Sequence, residues 1–167
     1  MAEVQPGRKT LIVYFSLGGN TKALCQRLAA GESAELAEIT TAKAYGKGGI
    51  FLRMPQQLAG KSMPVTPVPD LDKYDHIVVA GPIWAGGPAM PVRGFFEAHD
   101  IKGKAVTGLL TCSGGPGSST GQMRDMISAK GGICKDVYII SAKNPDGKAL
   151  LASKGNVGFE KLGGARM

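Results

Sequence analysis

Three short stretches of the 167-residue chain hold residue types able to seat a phosphorylated ligand. The first, Ser16-Leu17-Gly18-Gly19-Asn20-Thr21, is rich in hydroxyls, and its glycines let backbone N–H groups approach a ligand closely. If a helix opens there, its free N–H groups and the hydroxyls form a seat for a phosphate. The second, Gly81-Pro82-Ile83-Trp84-Ala85-Gly86-Gly87-Pro88, carries the only tryptophan of the chain, a side chain that stacks well on a planar ring. The third, Thr111-Cys112-Ser113-Gly114-Gly115-Pro116-Gly117-Ser118-Ser119, is a glycine-rich turn. A hydroxyl-rich turn, an aromatic turn and a glycine-rich turn on one rim would suit a phosphorylated planar ligand.

Elements must bring these stretches to one rim. Leu11 to Phe15 are apolar without alternation, as expected of a strand covered on both faces of a parallel sheet. Beyond the first turn, Ala23, Leu24, Leu28 and Ala29 recur at helical spacing. The pattern predicts strands over 10–15, 34–40, 76–81, 104–111 and 135–141. It predicts helices over 20–30, 48–60, 90–99 and 119–130, with a weak one near 147–162 that Gly155 and Gly158 interrupt. Alternating strands and helices read as a doubly wound α/β sheet in a single domain, 1–167. Ligands of such sheets gather at the carboxyl ends of strands, where the strand order reverses. Each of the three stretches follows a predicted strand.

The longest connection is 42–75. Within it Ile50, Phe51, Met54 and Leu58 share one helical face, and Pro55 is expected to break or kink the helix. Met63 to Asp70, with three prolines, reads as an extended surface segment.

Composition narrows the classes. With 43% apolar and 20% charged residues, the chain is globular rather than disordered. Its apolar runs are strand-sized, so no membrane span is expected, and the first residues lack an apolar signal core, so a cytoplasmic location is expected. Cys25, Cys112 and Cys134 have neither disulfide-framework nor metal-ligand spacing and read as buried thiols in a reducing compartment. The net charge of +7 comes from scattered Lys and Arg without interleaved aromatics, which argues against nucleic acid. A basic field instead attracts anionic substrates or an acidic protein partner.

The stretches YFSLGGNTKALCQRLA at 14–29, GPIWAGGPAMPVRGFFE at 81–97 and KAVTGLLTCSGGPGSS at 104–119 resemble the flavodoxin-like family, in particular its short members without a long insertion in the fifth strand. The resemblance implies a three-layer, five-stranded parallel sheet of order 2-1-3-4-5, a bound FMN and electron transfer. It implies that Ser16, Gly18, Gly19, Asn20 and Thr21 hold the phosphate. Pro82, Ile83, Trp84, Ala85 and Gly86 would line the isoalloxazine, and Ser113, Gly114 and Gly115 would close the other side. Lys22 would add charge or face solvent. Gly86 and Gly87 would let a backbone carbonyl turn toward flavin N5 once that atom is protonated. Family members are expected to serve as electron carriers for a redox partner protein, or as NAD(P)H-dependent reductases of quinones and other small acceptors. The alternative is a non-redox module of the same fold that binds another phosphate ligand or serves assembly.

The chain departs from the family in three respects. Gly18 stands where a threonine is usual, the fourth-strand loop has no aromatic to cover the outer ring face, and the charge is basic where electron-transfer flavodoxins are acidic. Positive surroundings favour an anionic reduced cofactor, so a less negative reduction potential is expected.

Competing patterns fail on order or content. Gly117-Ser118-Ser119-Thr120-Gly121 matches a nucleophile elbow, yet both histidines, His76 and His99, precede Ser119, the reverse of the triad order. The serines are expected to cap the following helix, and the histidines to take surface or capping roles. A phosphoacceptor receiver domain would need acidic residues where Ser16 and Gly81 stand. A dinucleotide site would need G-x-G-x-x-G, of which only Gly18-Gly19 is present.

Overall fold

Apolar runs such as 11–14 and 77–80 must be covered on both faces, and they form the centre of the sheet. The computed structural model describes residues 9–32, 34–41 and 46–141. Its elements are β1 (Thr10–Tyr14), α1 (Asn20–Glu32), β2 (Glu35–Glu38), α2 (Lys47–Leu52), α3 (Met54–Leu58), a 3-10 turn (Leu71–Lys73), β3 (His76–Trp84), β4 (Gly87–Pro88), α4 (Met90–Ala98), β5 (Ala105–Cys112), α5 (Ser119–Ala129) and β6 (Ile133–Ser141). The long strands are parallel in the order β2-β1-β3-β5-β6, and β4 folds back antiparallel on β3. Apart from the two-residue β4, this is the expected order 2-1-3-4-5. The weak helix predicted near 147–162 lies outside the described residues.

Strand geometry divides the apolar residues between two cores. Leu11, Val13, Ile77, Val79, Val106, Leu110, Val137 and Ile139 face Val92, Phe95 and Phe96 of α4 and Met123 and Ile127 of α5. Ile12, Tyr14, Val78, Ala80, Leu109, Tyr138 and Ile140 face Leu24, Cys25, Leu28 and Ala29 of α1. The carboxyl ends of β1, β3 and β5 therefore lie side by side between helices of opposite faces. That placement puts the three predicted stretches on one rim.

Several elements differ from the sequence reading. β3 runs to Trp84 rather than stopping at 81, because a hairpin pairs Ile83 with Pro88 and Trp84 with Gly87. β6 begins at Ile133, two residues early, because a bulge interrupts its register. Val106 pairs with Cys134 and Thr107 with Asp136, leaving Lys135 without a partner on β5.

The predicted 48–60 helix is two helices, broken at Arg53, two residues before Pro55. Its shared apolar face does not form. Ile50 is buried, but Phe51 and Leu58 are 76% and 68% exposed, and Gln57 is the residue that points inward. The 63–70 strap lies at the surface as expected, but it is anchored on α4 through Met63, which is buried and whose N–H donates to the Met90 carbonyl at 3.2 Å.

Cys25, Cys112 and Cys134 are free thiols, the first two buried and Cys134 half-buried. Burial pushes Cys25 from 9.0 up to about 12. It does the same to Tyr138, from 10.0 to about 12, with Asp136 adding to the effect. Both groups are neutral in the native state and ionise more readily when unfolded. Their contribution is therefore complete below pH 9 and is lost as pH rises toward 12. Stability should fall by up to about 1.4 kcal/mol per pH unit for each group, starting above pH 9.0 for Cys25 and above pH 10.0 for Tyr138. Urea midpoints from pH 8 to pH 11 test this, and Cys25→Ala should show a shallower alkaline fall than the parent.

Candidate functional site

The three loops at the carboxyl ends of β1, β3 and β5 enclose a cavity of about 520 Å³. The loop before α1 supplies Ser16, Leu17, Gly18, Asn20 and Thr21. The β3–β4 hairpin supplies Pro82, Ile83, Trp84, Ala85 and Gly86, and the end of β5 supplies Thr111, Cys112, Ser113, Gly114 and Gly115. Every predicted binding residue except Gly19 thus lines one space. Gly19 shapes the turn instead, with φ +91° and its N–H donated to Ser16 Oγ at 3.1 Å. Leu17, Thr111 and Cys112 belong to the same stretches but were not among the expected binding residues, and they line the cavity as well. Thr111 was readable as the last residue before the glycine turn, whereas Leu17 carries no chemical signal.

No lining residue bears a charge. Lys22, just past the turn, pairs with Glu38 at 3.9 Å and does not line the cavity. An anion at the mouth of α1 would therefore meet backbone N–H groups of the first turn and the helix dipole rather than a cation. Thr21 is 2% exposed, and its hydroxyl pairs with that of Thr111 at 2.8 Å, tying the start of α1 to the end of β5.

The hairpin turns through Ala85 at φ +48° and Gly86 at φ +75°, two successive left-handed residues as a two-residue primed turn requires. Trp84 is partly buried, and Phe15 holds it edge-on with ring centroids 5.6 Å apart. Gly87 has a packing role, since a Cβ there would lie 2.7 Å from Gln122 Oε1 and 2.8 Å from Arg93 Nη2. Cys112 donates to the Gly114 carbonyl at 3.3 Å, and burial raises its pKa, so the thiol stays protonated.

Ser119 is fully buried and donates to the Pro116 carbonyl at 2.5 Å, which excludes it as a nucleophile. Ser118 occupies the helix N-cap, but its hydroxyl accepts from Gln122 Nε2 at 2.6 Å instead of capping the backbone as expected. His76 pairs with Thr107 Oγ1 at 2.8 Å. His99 terminates α4, with Nδ1 2.9 Å from the Phe95 carbonyl and Nε2 accepting from the Val68 N–H at 3.3 Å. Among the described residues no group of His, Cys, Asp and Glu is placed to hold a metal ion.

A family model described as Flavodoxin matches residues 9–134. The chain belongs to the flavodoxin family. No match was found among curated proteins. The flavodoxin sheet is shared with a candidate flavoprotein from Bacteroides uniformis, at 22% identity and TM-score 0.72 over 81% of this chain and 91% of that one. A Lactobacillus acidophilus flavoprotein in complex with FMN matches at 21% identity and TM-score 0.68, covering 79% of this chain and 93% of that one. The two-electron reduced flavodoxin of Megasphaera elsdenii matches at 20% identity and TM-score 0.53, covering 82% and 88% respectively. These likenesses establish the flavodoxin fold. Among the described residues no helix is long and apolar enough to cross a membrane.

Proposed function

We propose that this flavodoxin-family protein binds FMN in the 520 Å³ cavity and passes electrons through it. The observation that carries the reading is the convergence of a helix N-terminus, a tryptophan hairpin and a glycine turn on one uncharged space. The volume lies in the range of cofactor pockets. A Cβ built on Gly18, Gly114 or Gly115 meets nothing within 4 Å, so the backbone of both flanking turns is open to a ligand. When bound, FMN supplies one- and two-electron transfer, and the protein supplies binding, orientation and electrostatics.

In this reading Ser16, Gly18, Asn20 and Thr21 receive the phosphate, with Gly19 shaping their turn. Pro82, Ile83, Trp84, Ala85 and Gly86 take one side of the ring, and Ser113, Gly114 and Gly115 take the other. Thr111 orients the Thr21 hydroxyl. No lining residue is a strong acid or base, which fits a site whose protein groups bind and exclude water. The basic surface supports an acidic redox partner, or NAD(P)H with a small acceptor, and a potential less negative than in acidic flavodoxins. The free thiols support a reducing compartment such as the cytoplasm.

Titration with FMN should give saturable one-to-one binding with quenched flavin fluorescence. No binding at millimolar FMN would leave a non-redox module of this fold. Oxidation of NAD(P)H by the loaded protein in the presence of a quinone would mark a reductase. Its absence, with rapid exchange to a redox protein, would mark a carrier.

A further inference from the structure

A hairpin whose second strand is two residues long cannot hold its own turn, still less with Ala85 in the left-handed region. Support must come from outside the hairpin, and three side chains from three different helices provide it. Gln57 of α3 is 3% exposed, and its amide donates to the Trp84 carbonyl at 2.8 Å and to the Pro88 carbonyl at 3.1 Å, one on each strand. Its Oε1 is buried and accepts from no group among the described residues. Apolar packing would be better served by leucine or methionine, which leave no orphaned acceptor. The two carbonyls account for an amide at this place.

Arg93 of α4 donates through Nε to the same Pro88 carbonyl at 3.2 Å and through Nη2 to Gln122 Oε1. Gln122 of α5 in turn donates to Ser118 Oγ at 2.6 Å. Backbone contact completes the link, since a Cβ on Gly117 would lie 2.6 Å from Gly86 Cα and 2.8 Å from the Gly86 carbonyl oxygen. The hairpin and the 113–115 turn both line the cavity, and 116–118 joins that turn to α5, so this chain of contacts fixes the distance between them.

We infer that Gln57, Arg93 and Gln122 are positioning residues: a polar brace that sets the width of the slot between the Trp84 hairpin and the glycine turn. The slot's occupant, the flavin ring, rests on the function proposed above, but the brace is measurable without it. Trp84 is the only tryptophan, so intrinsic fluorescence of the cofactor-free protein reports the hairpin alone.

The test compares wild type, Gln57→Leu, Gln122→Leu and the control Gln56→Leu, whose parent residue is exposed. In both brace variants Trp84 emission should shift to longer wavelength and become more accessible to iodide while the far-ultraviolet dichroism is retained. The control should match wild type. Affinity for FMN and for riboflavin should fall together, about tenfold in Gln57→Leu, because the ring loses its wall while the phosphate seat is intact. A purely structural role would lower the urea midpoint without moving the folded protein's Trp84 spectrum, and that result overturns the brace. Gln122→Leu leaves α3 untouched and decides the matter if Gln57→Leu does not fold. Wild type that binds neither FMN nor riboflavin refutes the proposed function, while the fluorescence comparison still judges the brace.

Discussion

Gly18→Asp should weaken FMN binding at least about 100-fold and leave riboflavin binding within about threefold. Gly18 lines the cavity beside the N-terminus of α1. A Cβ there meets nothing within 4 Å, and its φ lies outside the left-handed region, so an aspartate side chain fits without strain. Its carboxylate would compete with a phosphate for the first-turn N–H groups and would repel it directly. At about 4–6 Å and an effective dielectric constant near 20, one charge pair costs about 3–4 kcal/mol, and solvent exposure reduces this. A 100-fold loss needs about 2.7 kcal/mol, within reach because the phosphate carries more than one charge. No lining cation is present to offset the added anion. Riboflavin lacks the phosphate and feels none of this. Gly18→Thr tests the converse: it restores the hydroxyl usual in the family and should tighten FMN several-fold through one more hydrogen bond. Calorimetric titration with both ligands is the measurement. Equal losses for FMN and riboflavin in Gly18→Asp would mean that the phosphate sits elsewhere.

The parts of this site that were legible in the sequence share a physical cause. Leu11 to Tyr14 could be read as a central strand because burial on both faces removes alternation, and the observed strand is buried on both. The turn after it stood out because hydroxyls and adjacent glycines interrupt an apolar run just where a helix begins. Trp84 stood out as a large aromatic between glycines. What escaped were features that depend on a partner far away in sequence. Nothing local says that Gln57 faces inward while Phe51 and Leu58 face outward, because that inversion follows from two carbonyls in a hairpin about thirty residues on. The hairpin itself was hidden by Gly81-Pro82, a pair that ordinarily ends a strand. The bulge at Lys135 was hidden because one inserted residue shifts the alternation on which a strand is recognised. The Thr21–Thr111 pair joins residues 90 positions apart, and each threonine alone reads as an ordinary turn hydroxyl.

The charge distribution carries a further lesson about where electrostatics acts. A net charge of +7 marks a basic field, and Lys22 stood as a candidate to add charge beside the phosphate, yet the cavity lining is neutral and Lys22 pairs with Glu38 at 3.9 Å. Fixed dipoles of the first turn act at contact distance and cost no side-chain ordering. The scattered cations act at longer range and are screened by salt over about 8 Å at physiological ionic strength. With FMN bound as proposed, the first term would govern whether the phosphate is held, and the second how fast an anionic partner arrives and how strongly a reduced, anionic cofactor is favoured.

Gly94→Ala and Gly121→Ala add the same methyl group to two helices and should move stability in opposite directions. Gly94 lies in the buried face of α4, where a Cβ would sit 1.9 Å from the Met63 carbonyl oxygen, 3.1 Å from its carbon and 3.0 Å from Val65 Cγ1. The obstacle is backbone and cannot swing away as a side chain would. The strap itself is tethered by the Met63 N–H to the Met90 carbonyl and by the Thr41–Val65 bridge, so relief requires moving a tethered backbone segment. Overpacking of this kind costs about 3 kcal/mol or more, at the upper end of the usual range. For a chain of this size that lowers Tm by about 6–12 °C. Gly121 in α5 is exposed and has nothing within 4 Å, so alanine there acts only on helix propensity and should add up to about 1 kcal/mol. Thermal and urea unfolding of both variants beside the parent measure the pair. A Gly94→Ala loss below about 1 kcal/mol would show that the strap yields, and that α4 is not clamped as tightly as its contacts indicate. Because Arg93 precedes Gly94 on this helix and reaches the Pro88 carbonyl, a displaced α4 should also relax the hairpin, shifting Trp84 emission in Gly94→Ala and leaving it unchanged in Gly121→Ala.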